Sequence, residues 1–313
     1  MTLDPDIKAM IDAALSQPVK PLAEITVAQF RDGYRDRYIA RSVAPDMTVV
    51  ATPATIGSLP ATAYRPADTE GPLPLVVYFH GGGFVLGDAP GYDAQSRFLA
   101  ARGRCVLLFV DYRLAPEHPF PAALDDAWAA VIWAAANAAS LGADANRLAV
   151  AGDSAGGNLA ANLCLMARDR GGPAIALQLL AYPWLDARPY AGGPAYPSTL
   201  AFAERHFLDQ AVMEWFTGHY LADAALADDP RVSPVLASDL RGLPPAVIVT
   251  ASHDPLRDMG AAFAARLIAD HVDVDYRCVP GMVHNFLGHA GISPAAARAL
   301  AGLGDLLGAR LGV

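Results

Sequence analysis

The chain has 313 residues, of which 53% are hydrophobic and 18% are charged, and its formal net charge is −9. This balance provides for a large buried core and excludes an intrinsically disordered chain. The excess of acidic residues argues against nucleic acid as a partner, because phosphate binding needs clustered lysine and arginine, and it disfavours adsorption to an anionic membrane.

The N-terminal segment has neither the basic start nor the apolar run of a signal peptide, and the apolar stretches are too short to span a membrane. The three cysteines, Cys105, Cys164 and Cys278, form no CxxC pair and lie in apolar runs. We interpret all three as small buried hydrophobic residues, which suits a reducing compartment. The sequence therefore predicts a cytoplasmic protein with no stable membrane association.

After a helix-like segment that covers residues 1–45, strand-like and helix-like segments alternate. The strand-like runs cover residues 73–80, 105–112, 147–152, 175–182, 246–251 and 272–279. The clearest helix-like segments cover residues 121–139, 155–168, 255–269 and 295–311. Near-continuous apolar strands that alternate with helices predict a parallel sheet covered on both faces. In such a sheet, functional residues gather at the carboxyl ends of the strands.

The region from about residue 187 to 225 interrupts this alternation. It holds aromatic residues at helix-like spacings, namely Phe202, Phe207, Trp215, Phe216 and Tyr220. Spacing alone leaves two interpretations open. These side chains form the ordinary core of surface helices, or they cover a functional site as a lid.

Residues 152–156, Gly-Asp-Ser-Ala-Gly, match the pattern G-x-S-x-G. They follow a strand-like run and begin a helix-like segment, which is the context that this motif requires. The turn is so sharp that the residues two before and two after Ser154 must be small, and Gly152 and Gly156 meet this need. The hydroxyl then stands clear of the sheet at the positive end of a helix dipole, which makes Ser154 the candidate nucleophile.

Three consecutive glycines, Gly81, Gly82 and Gly83, follow the first strand-like run. A hydroxyl that attacks an ester produces an oxyanion, and glycines let backbone N–H donors approach that oxyanion closely. We predict that donors from this loop form an oxyanion hole with the N–H of Ala155, although the sequence does not decide which two glycines donate. A flexible glycine turn is the alternative. We interpret His80, which precedes the glycines, as a structural partner of the loop.

A carboxylate and a histidine follow later strand-like runs. Asp254 ends the segment that begins at residue 246, and His284 lies thirty residues later in Pro-Gly-Met-Val-His-Asn-Phe. The order Ser, Asp, His is the one expected for this fold. An imidazole must take the serine proton, and a carboxylate on the far side of the ring fixes its tautomer. We therefore predict His284 as general base and Asp254 as the residue that orients it.

The other histidines and carboxylates are weaker candidates. His253 adjoins Asp254, but neighbouring residues of a strand point in opposite directions. His271 lies at a helix end, where a cation suits the dipole. A strand-end loop with glycine is missing around His118, His206, His219 and His289. Asp258 is the rival carboxylate, and we interpret Asp153 as a structural hydrogen-bonding group.

Together these motifs resemble the hormone-sensitive lipase family of α/β-hydrolases, the bacterial group often called family IV esterases. The resemblance is carried by HGGGF at residues 80–84, DYRLAPEHPFPAALDD at 111–126, GDSAGGNLA around Ser154, DPLRD at 254–258 and GMVHNF at 281–286. It implies an α/β-hydrolase fold, with a mostly parallel eight-stranded sheet flanked by helices and a helical cap. It also assigns the same triad of Ser154, Asp254 and His284.

The resemblance divides the chain into four parts. Residues 1–45 form the N-terminal part of the cap, 46–186 the first part of the core, 187–225 the inserted cap helices and 226–313 the second part of the core. The lid interpretation of the aromatic region is thereby favoured. One departure is Asn285, where glycine commonly follows the histidine, and we expect its side chain to narrow the site beside His284.

The family implies a serine carboxylesterase that hydrolyses short- to medium-chain acyl esters, a class of small-molecule substrate, through an acyl-enzyme. It also allows a homodimer. No cofactor is expected, and the sequence offers no paired histidines or clustered cysteines for a metal. A lactonase, amidase or acyltransferase with the same triad stays open. The non-enzyme alternative is a small-molecule receptor on this fold, like the plant gibberellin receptors, but those have lost the catalytic histidine, whereas His284 is present.

Overall fold

The apolar runs pair into one sheet in the computed structural model, which describes residues 2–18 and 20–313. Within these residues the sheet has eight strands in the order β1-β2-β4-β3-β5-β6-β7-β8. The strands are β1 (Val49–Ile56), β2 (Leu59–Pro66), β3 (Leu73–Phe79), β4 (Val106–Val110), β5 (Ala143–Asp153), β6 (Leu177–Ala181), β7 (Ala246–His253) and β8 (Val274–Val283). Strands β3 to β8 are parallel, and β2 runs antiparallel to both of its neighbours. The predicted mostly parallel, eight-stranded sheet is confirmed.

The central strands β3, β4 and β6 are buried at every residue, which explains their continuous apolar sequence. The hairpin of β1 and β2 has no such run, because exposed residues interrupt both strands. Strand β8 lies at the edge of the sheet, and most of its residues are accessible to solvent. The prediction for one cysteine is therefore wrong: Cys278, on β8, is exposed, whereas Cys105 and Cys164 are buried as expected.

Helices cover both faces of the sheet. The described residues form α1 (Pro5–Leu15), α2 (Val27–Arg41), α3 (Ala89–Arg102), α4 (Ala122–Asn137), α5 (Ala155–Arg170), α6 (Pro197–Ala201), α7 (Gln210–Tyr220), α8 (Arg257–Ala269) and α9 (Pro294–Arg310). One apolar cluster joins α4, α5 and α8 to the sheet, and a second joins α3 and α9. Alternate residues of β3 enter the two clusters, as the pleat of a strand requires. No helix in the described part of the chain combines the length and apolar character needed to cross a bilayer.

Helices α2 and α7 lie against each other beside the glycine loop. The ring of Phe30 on α2 is 5.2 Å from that of Trp215 and 6.2 Å from that of Phe216, both on α7. Arg31, also on α2, donates from Nε to the carbonyl oxygen of Val85 at 2.8 Å. These contacts hold the N-terminal helices and the inserted helices over the same part of the core.

Candidate active site

Ser154 occupies the turn between β5 and α5, with φ 52° and ψ −115°. This left-handed φ is unusual for a residue other than glycine, and it persists only because the surrounding structure holds it. A Cβ at Gly156 would overlap the carbonyl oxygen of Phe79, and one at Gly152 would overlap the backbone of Gly156. The small residues that the motif predicted are therefore required by the close approach of strand and helix.

The structure brings together the three side chains predicted as a triad. His284 Nε2 lies 2.9 Å from Ser154 Oγ, and His284 Nδ1 lies 2.8 Å from Asp254 Oδ2. Asp254 is fully buried and also accepts the backbone N–H of Leu256 at 2.8 Å. The three residues follow β5, β7 and β8, so the carboxyl ends of parallel strands converge on one point. This geometry lets the imidazole accept the serine proton while the carboxylate stabilises the imidazolium.

The glycine loop of residues 81–83 lies beside the triad, and its three backbone N–H groups differ in whether they already have an acceptor. Gly81 donates to Asp153 Oδ1 at 2.9 Å, so its N–H is already engaged. Gly82 and Gly83 have φ of +116° and +61°, and both line the cavity that contains Ser154. The sequence left open which glycines face an oxyanion, and the engagement of Gly81 leaves the other two as candidates.

Asp153 holds the glycine loop in place through hydrogen bonds. Its carboxylate accepts hydrogen bonds from the hydroxyls of Tyr78 at 2.9 Å and Tyr92 at 3.0 Å, in addition to the N–H of Gly81. Burial raises the pKa of Asp153 to about 6, although these three hydrogen bonds act in the opposite direction. Asp153 therefore has the structural hydrogen-bonding position that the sequence suggested.

His80 supports the same loop from its other side. Its ring stacks on Tyr112 with centroids 4.3 Å apart, and its Nδ1 lies 2.8 Å from the carbonyl oxygen of Gly81. Burial lowers the pKa of His80 to about 4, so the ring is neutral at physiological pH. These contacts agree with the interpretation of His80 as a structural partner of the loop.

Asn285 explains how the chain tolerates a departure from the family pattern. The residue has φ 61° and ψ 27°, a left-handed conformation in which glycine and asparagine are the most readily accepted residues. Its Oδ1 accepts a long hydrogen bond from the hydroxyl of Tyr182, at 3.4 Å, and the residue lines the cavity beside His284. Asparagine therefore meets the backbone requirement that glycine meets elsewhere, while it adds a polar side chain to the wall.

Two rivals considered for the triad have partners of their own. Asp258 accepts the N–H of Ser198 at 2.8 Å and pairs with Arg257 at the same distance. His253 Nδ1 lies 2.9 Å from Ser252 Oγ. Among the described residues, neither rival lines the cavity around Ser154.

The cavity has a volume of about 790 Å³, within the range of about 300–1,000 Å³ typical of small-molecule sites. Residues of α1, α2 and α7 line it together with Ser154 and His284. The aromatic residues of the region 187–225 differ in their surroundings. Phe207 and Phe216 line the cavity, whereas Tyr220 is buried and stacks on Phe84 with centroids 3.8 Å apart.

Sequence reasoning missed one residue of this cavity. His289 lies five residues after His284, in a short 3₁₀ turn (Phe286–His289), and it lines the cavity. The expectation that His289 lacks a glycine-containing strand-end loop is wrong, because it lies in the loop after β8 and directly follows Gly288. Its place depends on the path of the loop after β8, which brings His284, Asn285, Gly288 and His289 to the same cavity.

Comparison with known proteins agrees with the fold. The profile of the alpha/beta hydrolase fold matches residues 76–288. Carboxylesterase NlhH of Mycobacterium tuberculosis is 40% identical over 305 residues, which cover 95% of this chain and 92% of the relative. The crystal structure of a thermostable esterase from Pseudomonas putida has a TM-score of 0.94 at 34% identity and covers 100% of this chain and 98% of the esterase. An ester-hydrolase from the metagenome of Lake Arreo has a TM-score of 0.93 at 38% identity, with both chains fully covered.

The fold, and the share of the chain that these matches cover, define the family of this protein. The chain belongs to the α/β-hydrolase family. This confirms the recognition, made from the motifs, of an α/β-hydrolase of the hormone-sensitive lipase type.

Proposed function

We propose that this chain is a carboxylic ester hydrolase that uses Ser154 as nucleophile, His284 as general base and Asp254 to orient the base. One observation carries the proposal: a single imidazole lies 2.9 Å from the serine hydroxyl and 2.8 Å from a buried carboxylate. Relatives named carboxylesterase, esterase and arylesterase support the reaction class.

In the first half of the reaction, Ser154 Oγ attacks the ester carbonyl carbon and His284 Nε2 takes the hydroxyl proton. Asp254 stabilises the imidazolium that forms. The carbonyl oxygen becomes an oxyanion, which the N–H groups of Gly82, Gly83 and Ala155 stabilise. His284 then gives its proton to the alcohol oxygen as the ester bond breaks, and the acyl group remains on Ser154.

In the second half, His284 takes a proton from water and the hydroxide attacks the acyl-enzyme. The new oxyanion is held by the same donors. When it collapses, Ser154 Oγ leaves with the proton from His284, and the carboxylic acid is released. The ester and one water molecule balance the two halves together, with one alcohol and one carboxylic acid as products.

The cavity supports a preference for short- to medium-chain acyl esters. Its volume of about 790 Å³ accommodates a small ester, and its walls are mostly apolar side chains, among them Ile11, Leu22, Leu86 and Val212. In this proposal residues 1–45 and 187–225 form the helical cap. The cap excludes water from the acyl group and limits the chain length that fits.

The decisive experiment replaces the nucleophile. We expect Ser154→Ala to reduce kcat for p-nitrophenyl butyrate by about 10⁴-fold or more, because the residual rate comes only from binding and the oxyanion donors. Ser140→Ala, an exposed serine, is the matched control and should keep full activity. Phenylmethylsulfonyl fluoride should label the wild type at Ser154, as mapped by mass spectrometry. Labelling at another residue, or full activity in Ser154→Ala, would contradict the proposal.

A burst experiment separates hydrolysis from simple ligand binding. A serine esterase releases a stoichiometric burst of p-nitrophenol as the acyl-enzyme forms, whereas a receptor releases none. We expect a burst that disappears in Ser154→Ala. A wild-type protein without burst or turnover would favour the receptor alternative.

A further inference from the structure

The cavity carries more positive charge than the chain as a whole. The net charge of the protein is −9, yet Lys20, Arg37, Arg41 and Arg205 all line the cavity. Most arginines in the described residues pair with carboxylates, but the ion pairs found there include none for these four side chains. Arg41 is half-buried at the end of α2, where burial and the nearby charge of Arg37 lower its pKa. A half-buried guanidinium without a carboxylate favours an anionic ligand.

Two carboxyl groups, those of Asp153 and Asp209, line the same cavity, and their positions decide whether either one pairs with Arg41. Asp153 points its oxygens at Tyr78, Tyr92 and Gly81. Asp209 precedes α7, and its Oδ1 is buried without a hydrogen-bond partner within the described residues. Neither carboxylate forms an ion pair with Arg41 in the part of the chain that the structure describes. Arg41 therefore has no ion-pair partner among the described residues, although the carboxyl group of Asp209 lines the same cavity.

A buried histidine lies next to this guanidinium. His289 is 1% exposed, and neither ring nitrogen has a hydrogen-bond partner in residues 2–18 and 20–313. Its ring meets the ring of Phe207 edge to face at 4.7 Å, and the guanidinium carbon of Arg41 lies 5.9 Å from the same Phe207 ring. Burial lowers the pKa of His289 to about 3, and the charge of Arg41 acts in the same direction. The backbone of Gly288 acts in the opposite direction but does not offset burial, so the imidazole is neutral and carries one N–H for which the described residues supply no acceptor.

Buried polar groups in native proteins are nearly always satisfied, so an unpartnered pair of ring nitrogens on a cavity wall indicates a ligand group. The segment that carries His289 also carries His284, five residues earlier. Both histidines line the cavity that also contains Ser154 and Arg41. The backbone fixes Arg41 to this segment, because Gly291 donates its N–H to the carbonyl oxygen of Arg41 at 2.8 Å. One ligand can therefore reach Ser154 and this pair at the same time.

We propose that Arg41 and His289 form a carboxylate subsite, so that the preferred substrates are esters carrying a carboxylate several bonds from the ester carbonyl. The inference rests on the proposed ester hydrolysis and specifies its substrate class. A carboxylate accepts from the guanidinium with one oxygen and from the neutral imidazole with the other. The acyl part or the alcohol part of the substrate could supply this group, and the two sources are separated by experiment.

The test compares two pairs of substrates. The acyl-side pair is p-nitrophenyl hydrogen suberate and p-nitrophenyl octanoate, which have the same number of acyl carbons and differ by a terminal carboxylate. The alcohol-side pair is the acetate ester of hydroxyphenylpropanoate and that of its methyl ester. We expect the wild type to show at least about tenfold higher kcat/KM for the carboxylate member of one pair, the size expected for a hydrogen bond to a charged group. The pair that shows it identifies the source.

Variants assign the preference to the two residues. Arg41→Gln should abolish the preference by raising KM for the carboxylate substrate relative to that for its uncharged partner, because the contact is made equally in ground and transition states. Arg41→Lys should restore part of it, and His289→Phe should lower it several-fold. Arg298→Gln removes the same charge from an exposed position on α9 and should have no effect.

Two results would overturn the subsite. One is a wild type that prefers the uncharged member of both pairs, a measurement that needs no variant to fold. The other is an Arg41→Gln protein that loses activity equally on both members of each pair. A folded wild type that hydrolyses none of the four esters would instead refute the proposed function, so the two failures are distinguishable.

Discussion

Replacement of Asp153 by asparagine tests whether burial raises the pKa of the carboxyl group that contacts the glycine loop. Asparagine has nearly the same shape, and its oxygen can accept from Tyr78 and Gly81 as Asp153 Oδ1 does. Its amide nitrogen must then donate to the hydroxyl of Tyr92, which can turn its own proton to the hydroxyl of Tyr34, 3.0 Å away. Every hydrogen bond is kept, and only the negative charge is lost.

The expected effect is a change in the pH dependence of stability. The pKa of Asp153 is raised by burial to about 6, against about 3.9 for an unperturbed aspartate. When folding raises the pKa of a carboxyl group, the protonated group stabilises the folded protein. This contribution is complete at pH values below the pKa in the unfolded chain, and it is lost as the pH rises through the pKa in the folded protein. Two pKa units at about 1.4 kcal/mol each give a loss on the order of 3 kcal/mol between about pH 4 and pH 7. Asp153→Asn has no proton to lose, so it escapes this penalty.

The measurement is urea unfolding of both proteins at several pH values. We expect the free energy of unfolding of Asp153→Asn, minus that of the wild type, to rise by on the order of 3 kcal/mol from about pH 4 to pH 7. Contributions from titrating groups that do not interact with Asp153 cancel in this difference. Asp68→Asn, an exposed position, controls for the change in net charge. A difference that is flat with pH, or that falls, would refute the assignment of a raised pKa to Asp153.

Three further predictions follow from the geometry of the site. Asp254→Asn should lower kcat by about 10⁴-fold while circular dichroism shows an intact fold, because the amide no longer fixes the productive tautomer of the base; a loss of less than tenfold would contradict the proposed triad. Asn285→Gly should fold and keep activity, whereas Asn285→Val should lose about 1–3 kcal/mol of stability, because a β-branched residue is strained at φ 61°; equal melting temperatures would refute this. Gly156→Ala should not yield soluble protein, since its Cβ would overlap the backbone of β3, while Gly218→Ala, where a Cβ would meet nothing within 4 Å, should raise stability by about 0.4–1 kcal/mol.

Most strands that the sequence predicted have residues that face apolar surroundings on both sides, and the edge strand β8 is the exception. The six strand-like runs correspond to β3 to β8, with ends displaced by a few residues. Helix α3 was not predicted, because its buried face includes Gln95 and Ser96 and so shows little apolar periodicity. Strands β1 and β2 were implied only by the family resemblance. Amphipathic or polar segments depend on tertiary partners that a single sequence does not display.

The candidate triad could be predicted because each member follows a recognisable strand, and the family motifs give the chain order. What could not be predicted is how neighbouring groups use their hydrogen bonds. Gly81 is one of three identical residues in the sequence, yet only contact with Asp153 distinguishes its N–H. His289 was set aside for lack of a glycine-containing strand end, although the loop after β8 carries it to the cavity.

Helix α2 connects the two halves of the proposed catalytic machinery. Near its start, Arg31 donates to the carbonyl oxygen of Val85, just after the glycine loop, and to that of Ala115, whose N–H donates to Phe84. At its end, the carbonyl oxygen of Arg41 accepts from Gly291, just beyond the segment that carries the base. Fifteen residues of α-helix span about 22 Å, so one rigid element fixes the distance between the oxyanion donors and the histidine loop. Helix α2 thus carries the guanidinium of the proposed subsite and also contacts both loops. A change in α2 should therefore alter substrate preference and catalytic geometry together.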